Sequence, residues 1–110
     1  MSRGGHASSR WLLGLLFLVI ATAATAGVDA ERAEELEHLL VQECGSCHGL
    51  EMHGGLGPPL TPDALEARHD DYLHTVITHG VPGTPMPGWG GMLSEEDVQW
   101  LVELMREGLQ

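Results

Sequence analysis

Lysine is absent from this 110-residue sequence, and cysteine occurs only twice. The five basic residues are all arginine and stand against sixteen aspartates and glutamates. That deficit makes nucleic acid and anionic lipid surfaces poor partners, because both would be repelled. The two cysteines, Cys44 and Cys47, are too close in the chain to staple a fold. A bridge between them would close a loop too short to constrain the unfolded state much. No segment after residue 27 shows the strict alternation of a half-buried strand, and no internal repeat is visible. What is left is an all-α reading.

One uninterrupted apolar run is present, WLLGLLFLVI at 11–20. Arg3 and Arg10 precede it with no acid, and the small residues ATAATAG come after it. A basic start, a short apolar core and an A-x-A site describe a secretory signal peptide, with cleavage expected after Ala26, or earlier after Ala23. A spanning helix wants about 20 apolar residues, whereas Trp11 to Ala26 is shorter and ends in alanine and threonine. Residues 1–26 are therefore expected to be removed on export to the periplasm. Residues 27–110 would form one domain with no membrane attachment.

That domain of 84 residues holds three arginines, Arg32, Arg68 and Arg106, and all sixteen acids, a net charge of −13 with histidine neutral. Such a molecule suits a partner protein with a basic docking patch. The blander reading is that the acidity serves solubility. A core of this size is marginal unless a disulfide, metal or large cofactor contributes.

Four helical stretches are legible. Residues 30–43 place Ala33, Leu36, Leu40 and Cys44 on one stripe with glutamates elsewhere. TPDALEARH from 61 begins with a capping threonine and a proline suited to the first helical position. Residues 70–79 carry Tyr72 or Leu73, then Val76 and Ile77, and stop at Gly80. Residues 95–107 have Ser94 as cap, Asp97 reaching back, Leu93 and Val98 as a hydrophobic staple, and Gly108 as the end. Val98, Leu101, Val102 and Met105 line one face. Between helices lie HGGLGPPL at 53–60 and GVPGTPMPGWGGM at 80–92, too rich in glycine and proline for strands.

Both cysteines sit in Cys44-Gly45-Ser46-Cys47-His48. C-x-x-C-H is the attachment signature of a c-type haem. Two thiols one helical turn apart can form thioethers to the two vinyl groups of one porphyrin. The adjacent imidazole reaches the iron on the same face, and Gly45 and Ser46 let the backbone lie close to the ring. A redox-active pair would be expected beside a βαβ pattern, which is missing. Zinc needs four ligands, and His69, His74 and His79 are available by inventory. A structural disulfide is the plain alternative for an exported chain. Haem also answers the small-core problem, as a large apolar plate for helices to pack around.

The order of a helix ending in C-x-x-C-H, a Gly-Pro loop, a methionine loop and a C-terminal helix resembles the class I cytochromes c. The resemblance spans the whole of 27–110. The stretches GGLGPPLTPDAL, ITHGVPGTPMPGW and LSEEDVQWLV, downstream of CGSCHGL, resemble the small periplasmic cytochromes of the NirC type. These accompany the haem-type (cytochrome cd) dissimilatory nitrite reductase. The resemblance implies about four short helices around one covalent haem c, and an electron carrier rather than an enzyme. It implies a redox partner with a basic docking patch, nitrite reductase in the first place, and a monomer. It implies that the carbonyl of Pro58 accepts from the second ring nitrogen of the haem-ligating histidine. A family-level alternative is a part in making or loading haem d for that reductase. Another is a haem module whose sixth ligand detaches.

For the sixth ligand the choice is Met86, 38 residues beyond His48 and fixed between Pro85 and Pro87. A His/Met pair raises the reduction potential and suits electron transfer. Met92 is the reserve candidate, whereas Met105 and Met52 read as core filling. A bis-His haem through His69, His74 or His79 is the alternative coordination. His53 is expected at the haem rim and His38 in solvent. Trp89 is expected near a haem edge, with Trp100 and Tyr72 in the core or at a helix interface.

Overall fold

The computed structural model describes residue 1 and residues 27–109. The expected signal peptide and its cleavage site lie outside the described residues. Among the described residues there is no strand, and no helix is long and apolar enough to cross a membrane. The all-α expectation is met.

The first element is a helix that changes pitch. α1, Ala30–Leu39, starts where the Asp29 side chain accepts from the Arg32 N–H. It runs into a π turn at Leu40–Cys44 and ends as a short helix α2, Gly45–His48. Leu36 and Leu40 are fully buried, so the expected stripe is the core stripe. α3 is only Pro62–Leu65, shorter than the expected stretch from 61. Thr61 stands at its N-cap without a side-chain hydrogen bond, so the start is set by Pro62. α4, Asp70–His79, buries Leu73 and ends at Gly80, whose φ of 72° lies in the left-handed region. α5, Glu95–Glu107, has the full reciprocal capping box between Ser94 and Asp97. Leu93 and Val98 on either side of that cap are both buried.

One apolar cluster unites these elements: Leu36 and Leu40, Leu65 of α3, Leu73 of α4, and Val98, Leu101, Val102 and Met105 of α5, with Met52 and Leu93 from the loops. Each such side chain contributes about 1.5–3 kcal/mol when fully withdrawn from water. Two arginines hold the outside of this cluster. Arg32 of α1 grips Asp97 of α5 with two hydrogen bonds, of 3.1 Å and 2.8 Å, and reaches Glu35 at 2.8 Å. Arg106 of α5 donates to Asp70 at 2.6 Å and to the carbonyls of Leu65 and Arg68. The third, Arg68, lies 5.2 Å from the centre of the Tyr72 ring. Tyr72 is therefore a surface residue stacked under a cation rather than the core or helix-interface residue expected, and of the two stripe candidates Leu73 is the buried one, with Ile77 packed beside it.

Candidate functional site

The π turn sets where the two sulfurs stand. The Gly45 N–H donates to the Leu40 carbonyl five residues back. One extra residue in the turn rotates the downstream helix by about 100° relative to an uninterrupted α-helix. Leu36 and Leu40 thus keep facing the core, and the next turn re-aims Cys44, Cys47 and His48. All three are half-buried, and Cys44 packs against the core cluster. Burial, with the charge of Glu43 behind it, pushes the Cys44 thiol up to about 11. The two cysteines are not joined to each other, so the disulfide of the plain alternative is not formed.

His48 is fixed in orientation and in tautomer. Its Nδ1 lies 2.7 Å from the carbonyl oxygen of Pro58. A carbonyl only accepts, so Nδ1 carries the hydrogen and the neutral ring keeps its lone pair on Nε2. This is the bond expected from the Gly-Pro pair. The loop bringing Pro58 there folds back on the motif: Gly54 N–H donates to the His48 carbonyl at 2.7 Å and Gly57 N–H to that of Cys47 at 2.8 Å. Gly57 lies so close that a Cβ on it would stand 2.7 Å from two ring atoms of His48. Gly49, at φ 91°, turns the chain out of the helix, where a Cβ would meet the Gly54 carbonyl at 2.8 Å.

Met86 sits on a separate segment, half-buried in a closed loop. Its carbonyl accepts from Val81 N–H at 3.2 Å, and its N–H donates to Thr84 Oγ1 at 3.3 Å, while that hydroxyl donates to the Val81 carbonyl. Gly80 packs under the loop, where a Cβ would lie 2.6 Å from the Met86 carbonyl oxygen. Trp89 and Gly90 N–H groups bind the carbonyls of Ile77 and Thr78, fastening the loop to α4. Trp89 packs on the core, as does Trp100.

The other candidates separate cleanly. Met105 and Met52 are buried in the core, as expected, while Met92 is 71% exposed. Met52 is also the one described non-glycine residue with positive φ, at 61°. Nothing in its sequence neighbourhood signals this; its N–H donates to the Gly49 carbonyl at 2.9 Å and its carbonyl accepts from the Leu60 N–H at 2.8 Å. His38, His53, His69 and His79 are exposed, and His74 is half-buried. Among the described residues no three histidines, cysteines or acids converge on a metal position, so the histidines of α4 do not form a zinc site.

The residues present fit a haem: two thiols on one helical turn, an imidazole with Nδ1 fixed and Nε2 free, and a thioether in a hydrogen-bonded loop. Nitrogen and soft sulfur donors are the set that holds haem iron in electron-transfer cytochromes.

Comparison with known proteins agrees. The family described as "Cytochrome C oxidase, cbb3-type, subunit III" matches residues 31–105. Cytochrome c55X of Stutzerimonas stutzeri is 50% identical over 98% of this chain and 96% of its own length. The solved structure titled "c-type cytochrome NirC" is 51% identical, covering 73% of this chain and 94% of that one, with a TM-score of 0.71. A structure titled "Dihydro-heme d1 dehydrogenase NirN in complex with DHE" is 36% identical over 66% of this chain but only 16% of its own, with a TM-score of 0.62. The chain belongs to this family of c-type cytochromes, as a class I cytochrome of the NirC type that carries one covalent haem c.

Proposed function

We propose that this cytochrome is an exported one-electron carrier of the periplasm, cleaved after Ala26, that delivers electrons to the haem-type nitrite reductase of denitrification. In this reading Cys44 and Cys47 hold the haem, His48 Nε2 and the Met86 thioether take its two axial positions, and no position remains for a substrate. The haem supplies a one-electron couple between ferric and ferrous iron. The protein supplies the setting. The Pro58 carbonyl makes His48 a better electron donor and keeps its ring from turning. The closed 80–92 loop leaves the Met86 side chain little freedom to lose.

The single observation that carries this reading is the His48–Pro58 hydrogen bond. It leaves one nitrogen, and only one, free to bind metal in a chain whose two thiols flank the same turn. Holoprotein carrying Met86→Ala tests the ligand assignment. The far-red charge-transfer band of iron–thioether ligation should disappear, and the reduced variant should bind carbon monoxide where the wild type does not. An unchanged band would move the assignment to another methionine. Stopped-flow reduction of nitrite reductase by the ferrous wild type tests the role. Turnover faster than with an unrelated acidic cytochrome supports it.

A second reading has its own observation. The matching stretch of the dihydro-haem d1 dehydrogenase is a small part of a larger protein, which favours a stand-alone cytochrome serving as electron acceptor during haem d1 maturation. Reduction of the oxidised cytochrome by that dehydrogenase, with no rate on nitrite reductase, would decide for it.

A further inference from the structure

The 80–92 loop is tied to α4 at its far end, where Trp89 and Gly90 donate to the Ile77 and Thr78 carbonyls. Around Met86 it has fewer means of its own. Pro82, Pro85 and Pro87 carry no N–H, so backbone donors are scarce in this part of the loop. One side chain makes up the shortfall. Thr84 bears the only hydroxyl in GVPGTPMPGWGGM. Among the described residues of the loop, its side chain is also the only one that makes a hydrogen bond.

The turn beneath that hydroxyl is set by its residues. Val81-Pro82-Gly83-Thr84 has proline second and Gly83, at φ 78°, third, the arrangement of a type II turn. Thr84 N–H closes it on the Val81 carbonyl at 3.1 Å. The Thr84 hydroxyl donates its one hydrogen to the same carbonyl at 2.7 Å. That leaves an oxygen lone pair for the Met86 N–H, 3.3 Å away. The Met86 carbonyl accepts from the Val81 N–H at 3.2 Å. Both polar groups of the Met86 backbone are thus held, the carbonyl by the turn's backbone and the N–H by this hydroxyl alone. Without the hydroxyl, only the carbonyl bond ties Met86 to the turn.

We propose that Thr84 is a positioning residue for the sixth haem ligand: its hydroxyl holds the Met86 backbone against the 81–84 turn and so sets how often the thioether leaves the iron. The proposal rests on the Met86 ligation put forward above. Thr84 acts through the Met86 backbone, not on the metal. For the iron–sulfur bond to open and stay open, Met86 must shift relative to the turn, and the hydrogen bond opposes that shift. The electron pair of the broken coordinate bond stays on sulfur, and an incoming ligand brings its own pair. A neutral hydrogen bond of this kind is worth a factor of about three to ten in such an equilibrium.

The test mixes ferric holoprotein with imidazole, which takes the sixth position only after the thioether has left. The saturating rate at high imidazole, followed by stopped-flow absorbance, then reads thioether departure. Thr84→Val keeps the side-chain shape and removes the hydroxyl. It should retain the far-red iron–thioether band and raise the saturating rate about threefold to tenfold. Thr84→Ala removes the same hydroxyl without valine's branch and should be as fast. Thr84→Ser keeps the hydroxyl and should stay within about twofold of the wild type. A hydroxyl that only stabilised the fold would lower the guanidinium midpoint of Thr84→Val and leave its saturating rate at the wild-type value; that result overturns the proposal. So does Thr84→Ser as fast as Thr84→Val, because shape rather than the hydroxyl would then govern. Met86→Ala separates the two readings. If that variant keeps the far-red band, the sixth ligand lies elsewhere and both are lost. If it loses the band while Thr84→Val exchanges at the wild-type rate, only the role of Thr84 is lost.

Discussion

Gly57 shows how much one missing side chain does for His48. A methyl group there would stand 2.7 Å from the ring's Cε1 and Nδ1, well inside contact distance. Gly57→Ala must therefore push either the imidazole or the Pro58 segment away, and the 2.7 Å hydrogen bond is the contact at stake. In the proposed ligation, losing it makes the imidazole a weaker donor to ferric iron. The expected outcome is a higher reduction potential by spectroelectrochemical titration, with a stability loss of about 1–3 kcal/mol from overpacking in guanidinium denaturation. An unchanged potential would show that the bond does not tune the site. At this scale most of the site is readable from the chain, because C-x-x-C-H and the Gly-Pro pair are local patterns whose chemistry needs fixed spacing. The backbone of Met52 is not: its left-handed conformation goes with hydrogen bonds to Gly49 and to Leu60, eight residues on, which no local pattern announces. Tyr72 also departs from expectation. Periodicity allows either Tyr72 or Leu73 inward; Leu73 is buried, and Tyr72 stands half in solvent beside the Arg68 cation.

Among the elements, α1 and α5 are tied together by Asp97, which serves both. It caps α5 through Ser94 and accepts two hydrogen bonds from Arg32 of α1 while only 6% exposed. The Arg32 guanidinium, helped by the Ser94 N–H and opposed by burial, holds the carboxyl down at about 2, against an ordinary 3.8. A carboxyl depressed in the folded state adds stability above its ordinary pKa and loses it as the folded value is approached. The Asp97 contribution should therefore be complete above about pH 5 and fall away towards pH 2, by about 1–2 kcal/mol after allowing for solvent screening. Asp97→Asn should be less stable at neutral pH and should flatten that part of the acid-unfolding profile, monitored by far-UV circular dichroism. A slope equal to wild type would assign the acid sensitivity to other carboxylates. The helices themselves are legible because caps and stops agree with periodicity: 70–79 and 95–107 fall where Gly80, Ser94 and Gly108 put them. The π turn is not legible. Residues 40–44 carry an ordinary helical pattern, and nothing local in it marks the extra residue of the turn.

For the whole molecule the governing quantity is apolar mass. Among the described residues ten buried apolar side chains serve a domain of some eighty residues, and two long loops, 53–60 and 80–92, contribute none of them. A chain this small buries too little of its own surface to be comfortably stable alone. The high density of acids, with three arginines in the domain, adds self-repulsion to the compact state. The 53–60 loop closes on His48 through Gly57 and Pro58, and the 80–92 loop carries Met86, the sixth ligand proposed above. In that proposed ligation the haem restrains the parts the protein core restrains least. The double variant Cys44→Ser with Cys47→Ser isolates this contribution, since the serines are near-isosteric and the helices keep their caps. It should retain far-UV helix signal but lose near-UV signal and unfold without a sharp transition, the behaviour of a compact state lacking fixed packing. Holoprotein under the same conditions should unfold cooperatively. A colourless variant with a steep two-state urea transition would show that the helices hold themselves, and that the haem was added to a fold already complete without it.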